Sequence, residues 1–493
     1  MDPWALPEAA KAELAATGTH VIVRDGISSS ESWPSMIRHR AAAGFLAFVP
    51  FFVLTASAPA QSTFPSDSVV QALIDARVAQ GTVAGIAVGL IEPDGRTRFL
   101  VSGTAGPGRS LSRESVFEIG SITKVFTGIL LADMVRRGEV TLDDPIAKYL
   151  PAEVTTPARN GTEITLGHLS TQTSGLPRMP ANFRPSDPLN PYVDYTAEQL
   201  YEFLSGYTLP RDPGALYEYS NVGVGLLGHV LTLRAGMSYD DLVRERILEP
   251  LGMEHTGSTL TPWMLERAVA GHSASGDTVP WWDQQVLAGA GSLRSSMDDM
   301  LTFVEAALRG TGPLRESMDL SLAPRATAGQ NMMVGLGWHR MTTTADTIVW
   351  HNGGTGGFRT FAGLVPATGR GIVLMANTGG TGADDIAFHL LNPALPLAPP
   401  PRKAVDVPPE VLARYVGTYE LAPQFSIEVT LVDGTLRAQA TGQPVIRLWA
   451  SSETRFFIRE VDAQVSFQLA PDGTVSGLVL HQNGQDMPGR KIR

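Results

Sequence analysis

Residues 117–138 constrain this chain most, because they combine two reactive side chains with an apolar helix. Ser121 and Lys124 stand at the start of the segment, and apolar residues then recur at helical spacing until the stop signal at 136–138. Three residues apart on a helix, Ser121 and Lys124 lie on the same face. The segment therefore predicts a largely buried helix that carries a hydroxyl and an amine within reach of each other.

This pair of side chains is suited to nucleophilic catalysis. A serine hydroxyl is a weak nucleophile until a neighbouring group takes its proton, and a desolvated lysine can be that group. Only five of the 38 basic residues are lysines, and arginine cannot lose its proton in a protein. The helix N-terminus would also stabilise an oxyanion at Ser121. The alternative is that Ser121 caps the helix and Lys124 is solvated.

Composition excludes several classes of protein. The chain has no cysteine, which rules out disulfides, thiolate zinc sites and a cysteine nucleophile. A net charge of −11 argues against a nucleic-acid partner. No Gly-x-Ser-x-Gly or His-Glu-x-x-His motif is present. We therefore expect a globular protein of two or three domains that requires no metal and no cofactor.

The N-terminal region has the composition of an export signal. Residues 1–35 have no assigned function, whereas 36–60 begin with a basic stretch, continue as a short apolar run and end at Ala58-Pro59-Ala60. This pattern predicts a secretory signal peptide, with Met36 as the true initiator and a periplasmic or secreted product. The run is too short for a stable membrane anchor. The alternative is a cytoplasmic N-terminal segment with a buried helix.

The sequence after residue 60 predicts an α/β domain, a linker and a β domain. We predict a helix at 66–79, strands at 84–91, 98–101, 347–351, 360–365 and 371–376, and an all-helical subdomain inserted at about 140–310. The expected fold class is an antiparallel sheet flanked by helices, over 61–390. Residues 391–409 are proline-rich and predict a linker. Short strands at regular spacing over 410–493 predict a small all-β barrel.

Two further motifs contain candidate site residues. Tyr219-Ser220-Asn221 precedes an apolar helix, where a phenol near a lysine would have its ionisation favoured and could relay a proton. The alternative is a helix cap with a packed tyrosine. Residues 351–357, beginning His351-Asn352-Gly353-Gly354, end a predicted strand. These residues could form a strand beside a substrate, with one backbone N–H that helps to bind an oxyanion. The alternative is an Asn-Gly hairpin turn.

Together, Ser-x-x-Lys, Tyr-x-Asn and His-x-Gly in this order resemble the three motifs of the serine β-lactamase and penicillin-binding-protein superfamily. Flanking segments such as Thr173-Ser174-Gly175-Leu176-Pro177 are similar to its class C branch, over roughly residues 65–390. Residues 410–493 resemble the lipocalin-like domain of some related peptidases and esterases.

The resemblance implies a role for each matching residue and no metal. Ser121 would be acylated, Lys124 and Tyr219 would act as the general-base pair, and Asn221 would orient the substrate. The further substrate-binding residues would be His351, Gly353, Gly354 and Asn377, with the N–H groups of Ser121 and Gly354 forming an oxyanion hole and Asn377 holding a substrate carboxylate.

One residue departs from the class C pattern. These enzymes usually have lysine where this chain has His351, and a neutral imidazole attracts a carboxylate less strongly. The resemblance therefore implies a serine hydrolase acting on a small ester or a β-lactam. The alternatives are a D-amino-acid peptidase or D-alanyl-D-alanine carboxypeptidase, and a penicillin-binding sensor that is acylated without turnover. The sequence leaves the oligomeric state open.

Overall fold

The computed structural model describes residues 63–380, 383–399, 404–423, 425–443, 445–459, 461, 463–482 and 485–493. The segment at 1–35 and the predicted signal peptide at 36–60 lie outside these residues. Within the described ranges, no helix has the length and apolar character needed to cross a membrane. The helices are α1 (Asp67–Ala79), α2 (Thr123–Arg136), α3 (Leu166–Ser170), α4 (Ala197–Gly206), α5 (Asn221–Ala235), α6 (Tyr239–Val243), α7 (Glu249–Leu251), α8 (Pro262–Arg267), α9 (Met297–Arg309), α10 (Arg315–Leu322), α11 (Asp384–Leu391) and α12 (Pro409–Leu412).

The first domain is built on an eight-stranded antiparallel sheet. Its strands, in spatial order, start at the edge strand near residue 326 and end with the first two strands of the chain, so the N- and C-terminal parts of the domain meet in one sheet. The strands before residue 400 are β1 (Gly85–Ile91), β2 (Thr97–Gly103), β3 (Val116–Glu118), β4 (Ala158–Arg159), β5 (Thr162–Glu163), β6 (Thr256–Gly257), β7 (Gly271–His272), β8 (Thr278–Val279), β9 (Arg294–Ser296), β10 (Ala326–Gly329), β11 (Met332–Val334), β12 (His339–Thr342), β13 (Thr347–Gly354), β14 (Arg359–Val365) and β15 (Arg370–Ala376).

Helices cover both faces of this sheet. Every residue of β1 and β15 is buried, because alternate side chains of a strand point to opposite faces and here both faces are packed. On one face Ile86, Val88 and Leu90 join a core with α1 and α11. On the other, Ala87 and Ile91 join the larger core that contains α2 and α9. The predicted α/β class with an antiparallel sheet flanked by helices is confirmed.

Sequence periodicity missed some elements and extended others. The strands β10, β11 and β12 and the helices α10 and α11 were not predicted. The inserted segment predicted to be all-helical, at about 140–310, also contains the short strands β4 to β9. Near its start a single turn of 3₁₀ helix forms at Ile146–Lys148. The strand predicted to end at His351 continues to Gly354, so the Asn-Gly turn proposed as the alternative is wrong. Its residues pair instead with β14, as Asn352 with Phe361 and Gly353 with Thr360.

The C-terminal region is a nearly closed barrel of nine antiparallel strands, which confirms the predicted all-β fold. The two strands at the ends of the sheet, Ile446–Arg447 and Trp449–Ala450, are consecutive in the chain. Aromatic rings fill the interior, where Tyr415 stacks on Phe467 with ring centroids 4.2 Å apart. The strands are β16 (Gly417–Ala422), β17 (Phe425–Val432), β18 (Thr435–Ala440), β19 (Ile446–Arg447), β20 (Trp449–Ala450), β21 (Arg455–Phe457), β22 (Ala463–Leu469), β23 (Val475–Gln482) and β24 (Gln485–Lys491).

The crossing of α2 with the chain near residue 336 gives a prediction about stability. Replacing glycine by alanine inside a helix normally stabilises it by about 1 kcal/mol. At Gly128, however, a β-carbon would overlap the backbone carbonyl of Leu336. We expect Gly128→Ala to lower the free energy of unfolding by about 1–3 kcal/mol, as overpacking does. Urea denaturation measures the change.

Gly206, at the end of α4, supplies the control because, apart from its chain neighbours and the adjacent helix backbone, no described atom lies within 4 Å of the position of an added β-carbon. Gly206→Ala should leave the unfolding midpoint unchanged or raise it slightly. Equal effects of the two substitutions would contradict the close contact between α2 and Leu336.

Candidate active site

Ser121 lies where the chain enters the central helix. It is the middle residue of a 3₁₀ turn, Gly120–Ile122, that leads directly into α2. The side chain of Ser121 does not cap the helix, and the residue is partly exposed while its neighbours Gly120 and Ile122 are buried. The helix-cap alternative for Ser121 is therefore wrong, and its hydroxyl is free to face a cavity.

Lys124 is buried beside this hydroxyl. The residue is 0% exposed, and its Nζ contacts Ser121 Oγ at 2.9 Å and the carbonyl oxygen of Ala290 at 2.6 Å. Burial and the positive charge of Arg178 lower the pKa of Lys124 well below its ordinary value. A buried amine with a lowered pKa can accept the serine proton. The alternative of a solvated Lys124 is wrong.

Tyr219 lies next to the same two groups. The Lys124 Nζ is 5.0 Å from the centroid of the Tyr219 ring. Burial raises the pKa of Tyr219 to about 12, although hydrogen bonding with Ser121 and the charge of Arg178 act in the opposite direction. Our expectation that Lys124 would favour ionisation of this phenol is wrong, because desolvation has the larger effect. Tyr219 therefore holds its proton at neutral pH and can donate it.

Two neutral histidines surround the phenol. The rings of His351 and His339 have their centroids 6.2 and 6.4 Å from that of Tyr219. His351 is 1% exposed, and its Nδ1 donates to the backbone carbonyl of Asn352 at 2.6 Å. Burial lowers the pKa of His351 well below its ordinary value and that of His339 to about 4. The third motif thus adds no positive side-chain charge beside Tyr219 at neutral pH.

Glycine allows β13 to touch the turn that carries the nucleophile. A β-carbon at Gly353 would overlap the backbone carbonyl of Ile119. The same carbonyl accepts a hydrogen bond from Thr360 Oγ1 on the adjacent strand, at 2.9 Å. These contacts hold the end of β13 against residues 119–121, and Gly354 lines the cavity together with Ser121.

The cavity has two lobes that share Ser121, Arg178 and Gly354. We name them by a residue of each. The Trp282 lobe encloses about 170 Å³ and is further lined by Gly120, Met179, Tyr192, Asn221, Trp282, Gln284, Ala290 and Gly291. The His339 lobe encloses about 370 Å³ and is further lined by Tyr217, Tyr219, Ala328, Met332, His339, Trp350, Asn352 and Arg359.

Asn221 is held in the Trp282 lobe by the start of α5. The preceding residue, Ser220, caps this helix by accepting the N–H of Gly223 at 2.8 Å. Its capping role, given as an alternative, is therefore confirmed. Asn221 Nδ2 lies 3.5 Å from the hydroxyl of Tyr192, whereas its Oδ1 is buried without a partner among the described residues. An unpaired buried oxygen is costly unless a ligand supplies a donor.

Three of the predicted substrate-binding residues do not line either lobe of the cavity: His351, Gly353 and Asn377. Asn377 lies against two backbone segments instead. It is 0% exposed, and its Nδ2 donates to the carbonyls of Thr104 at 3.0 Å and Ala270 at 2.9 Å. It lines neither lobe. These contacts give Asn377 a structural role in joining two backbone segments.

Sequence reasoning missed most of the residues that line the cavity, among them the charged or titratable side chains of Arg178 and His339. Arg178 directly follows the Leu-Pro that we recognised in the flanking segment, and this adjacency could have drawn attention to it. His339 is brought in by the pairing of β12 with β13, where it stands opposite Trp350. Its Nε2 lies 2.9 Å from the hydroxyl of Tyr217. No local pattern signals such a non-local pairing.

Comparison with known proteins agrees with this geometry. Residues 70–392 match the family described as Beta-lactamase. The chain belongs to this family. Residues 401–491 match a domain of unknown function, DUF3471. The family consists of serine acyl hydrolases, so the chain is a serine hydrolase, and the predicted superfamily is confirmed.

Three curated relatives show the range of the family. The chain is 32% identical to "D-alanyl-D-alanine-carboxypeptidase/endopeptidase AmpH" of Escherichia coli (strain K12), over 56% of this chain and 75% of that protein. It is 26% identical to "Penicillin-binding protein 4*" of Bacillus subtilis (strain 168), over 77% and 88%. It is 27% identical to "Beta-lactamase" of Escherichia coli (strain K12), over 66% and 93%.

The buried amine gives a prediction about this β-lactamase family member. Lys124→Arg keeps the positive charge but cannot accept a proton. We expect kcat/KM to fall by about 10²–10⁴, the usual contribution of a general base. Lys148→Arg is the control, since Lys148 is exposed and pairs with Asp144 at 3.0 Å. Near-normal activity of Lys124→Arg would show that the amine is not the base.

The same group fixes the direction of the pH dependence. The amine is neutral above its pKa, which is lowered well below 10.5, so kcat/KM of the unaltered enzyme should rise with pH through that pKa. Tyr219, with a pKa of about 12, should keep its proton throughout. A pH–rate profile that falls with rising pH across the neutral range would contradict this assignment.

Proposed function

We propose that the protein hydrolyses a small acyl compound through an acyl-enzyme on Ser121. The observation that carries the proposal is the buried Lys124 Nζ, 2.9 Å from Ser121 Oγ, at a cavity that Tyr219 also lines. Lys124 takes the proton of the hydroxyl as Oγ forms a bond to the carbonyl carbon. The developing oxyanion is stabilised by the backbone N–H groups of Ser121 and Gly354, each worth about 10²–10³ in rate at such sites.

The acyl-enzyme forms when the tetrahedral intermediate loses its leaving group. Tyr219 donates its phenolic proton to the departing nitrogen or oxygen, and the protonated Lys124 returns a proton to the phenolate. Water then attacks the acyl carbon and gives one proton to the same pair of groups. The bond between the acyl carbon and Ser121 Oγ breaks, the pair passes that proton to Oγ, and the acid leaves. The raised pKa of Tyr219 supports the donor role, because the phenol starts each cycle protonated.

The substrate class that we propose is a carboxylic ester or a β-lactam amide. A second candidate is a short D-amino-acid peptide, as in the reaction that gives the first of the three relatives its name. The unpaired Oδ1 of Asn221 favours substrates with an amide N–H in the acyl part, which peptides and acylamino β-lactams have and simple esters lack. An ester without such an N–H leaves this oxygen unsatisfied.

Loss of the nucleophile provides the direct test. Ser121→Ala should lower turnover of nitrocefin or a p-nitrophenyl ester by about 10³-fold or more. Mass spectrometry of the unaltered enzyme with benzylpenicillin should show an adduct on the peptide that contains Ser121. Ser68→Ala is the control, since Ser68 is an exposed serine of α1.

The outcomes separate the alternatives. A transient adduct with released product supports a hydrolase, whereas a permanent adduct without product supports a penicillin-binding sensor. Normal turnover by Ser121→Ala would refute the proposal.

We also propose that the protein is exported with 36–60 as its signal peptide. The support is the basic start, the short apolar run and the Ala58-Pro59-Ala60 end. N-terminal sequencing of protein recovered from the periplasm or medium should begin at Gln61. A mature N-terminus before residue 36 would contradict both the signal peptide and the assignment of Met36 as initiator.

A further inference from the structure

Arg178 is a cation of the cavity for which the described part of the chain provides no ion-pair partner. Its side chain lines both lobes beside Ser121. The guanidinium carbon lies 5.1 Å from the centroid of the Tyr219 ring, a distance typical of a cation–π contact that restrains the side chain. Its backbone carbonyl accepts the N–H of Asn221 at 2.9 Å, which fixes the loop to the start of α5. Among the residues that the structure describes, no carboxylate forms an ion pair with Arg178.

The other cationic side chains at the cavity are already engaged. Arg359 forms a two-point ion pair with Asp384, in which its Nε lies 2.7 Å from Oδ1. Lys124 contacts Ser121 and Ala290 through its buried amine. His351 and His339 are buried and have lowered pKa values. Among the described lining residues, Arg178 is thus the cation available to an incoming anion.

The position of Arg178 indicates which part of a substrate it meets. In the proposed mechanism Tyr219 protonates the leaving atom, so the leaving group departs on the Tyr219 side of Ser121. Arg178 stacks on this same ring and is exposed, so a ligand can reach it. An arginine fork matches a carboxylate with two parallel N–H···O bonds. A carboxylate close to the departing atom therefore falls next to the guanidinium.

We propose that Arg178 binds a carboxylate on the leaving group, which makes it a specificity-determining residue for substrates that release an amino acid or another small acid. This inference rests on the proposed acyl-enzyme function. His351, on β13, does not supply a positive charge for the carboxylate. In this proposal Arg178, on the loop before α5, supplies it instead. A C-terminal D-amino acid has its carboxylate two bonds from the departing nitrogen and fits this requirement. Neutral leaving groups gain nothing from Arg178.

Two esters with the same acyl group test the proposal. Phenyl phenylacetylglycinate releases phenol, and its 3-carboxyphenyl analogue releases 3-hydroxybenzoate. We compare kcat/KM for the two esters in the unaltered enzyme, in Arg178→Gln and in Arg178→Lys. The ratio of the two values is the readout, because any general effect of Arg178 on Lys124 or Tyr219 changes both rates and cancels.

The unaltered enzyme should prefer the carboxylated ester. Arg178→Gln should reduce the ratio by about ten- to hundredfold, as expected for a lost hydrogen bond to a charged group. The ratio for Arg178→Lys should fall between those of the unaltered enzyme and Arg178→Gln, since lysine keeps the positive charge but cannot form two parallel hydrogen bonds. Arg184→Gln is the matched control, because Arg184 is exposed on the same loop, lines neither lobe and loses the same charge.

The possible failures are distinguishable. If both esters are hydrolysed through Ser121 and Arg178→Gln leaves their ratio unchanged, the role of Arg178 is overturned and the proposed function stands. If Ser121→Ala hydrolyses both esters as well as the unaltered enzyme does, the proposed function is overturned and this inference falls with it. A ratio lowered equally by Arg184→Gln would show a general charge effect and would also overturn the role of Arg178.

Discussion

The contact between a fully buried amine and a cavity-facing hydroxyl is the interaction on which the site depends. Lys124 is 0% exposed and yet carries an ionisable group 2.9 Å from Ser121 Oγ. An amine in such surroundings is destabilised in its charged form, so its pKa is lowered and the neutral, proton-accepting form is favoured. The cost of burying it is limited by its hydrogen bond to the Ala290 carbonyl. The apolar core around α2 thus contributes to the chemistry as well as to stability.

The sheet and the helix hold the site as one unit. β13 reaches the turn at 119–121 because Gly353 has no side chain, and β14 binds the same turn through Thr360 and the carbonyl of Ile119. Contacts with the sheet therefore hold the turn at 119–121 in place, while α2, which follows it, is packed in the core. Rigid elements of this kind keep reacting groups in position more precisely than loops do. In this way the turn before α2 and the strands β13 and β14, which are far apart in sequence, line one cavity.

Charge around the cavity is distributed unevenly. Lys124 and the two histidines have lowered pKa values, and Arg359 is neutralised by Asp384. Arg178 is left as a positive charge facing both lobes. The amine and this guanidinium lie 5.0 Å and 5.1 Å from the centroid of the Tyr219 ring. The phenol is therefore close enough to Lys124 to exchange protons with it, and the same ring holds the guanidinium at the cavity.

The sequence by itself determined the family, the order of the motifs and the burial of α2, because these depend on local spacing and apolar periodicity. It indicated Ser121 and Lys124 as a pair, because a spacing of three residues on a helix places two side chains on the same face. Only the tertiary structure decided the protonation of Tyr219, the burial of His351, and the positions of Asn377 and Arg178, since desolvation and charge pairing come from residues distant in the chain. The strands β10 to β12 escaped prediction for the same reason: their pairing partners, rather than their own composition, hold them in the sheet.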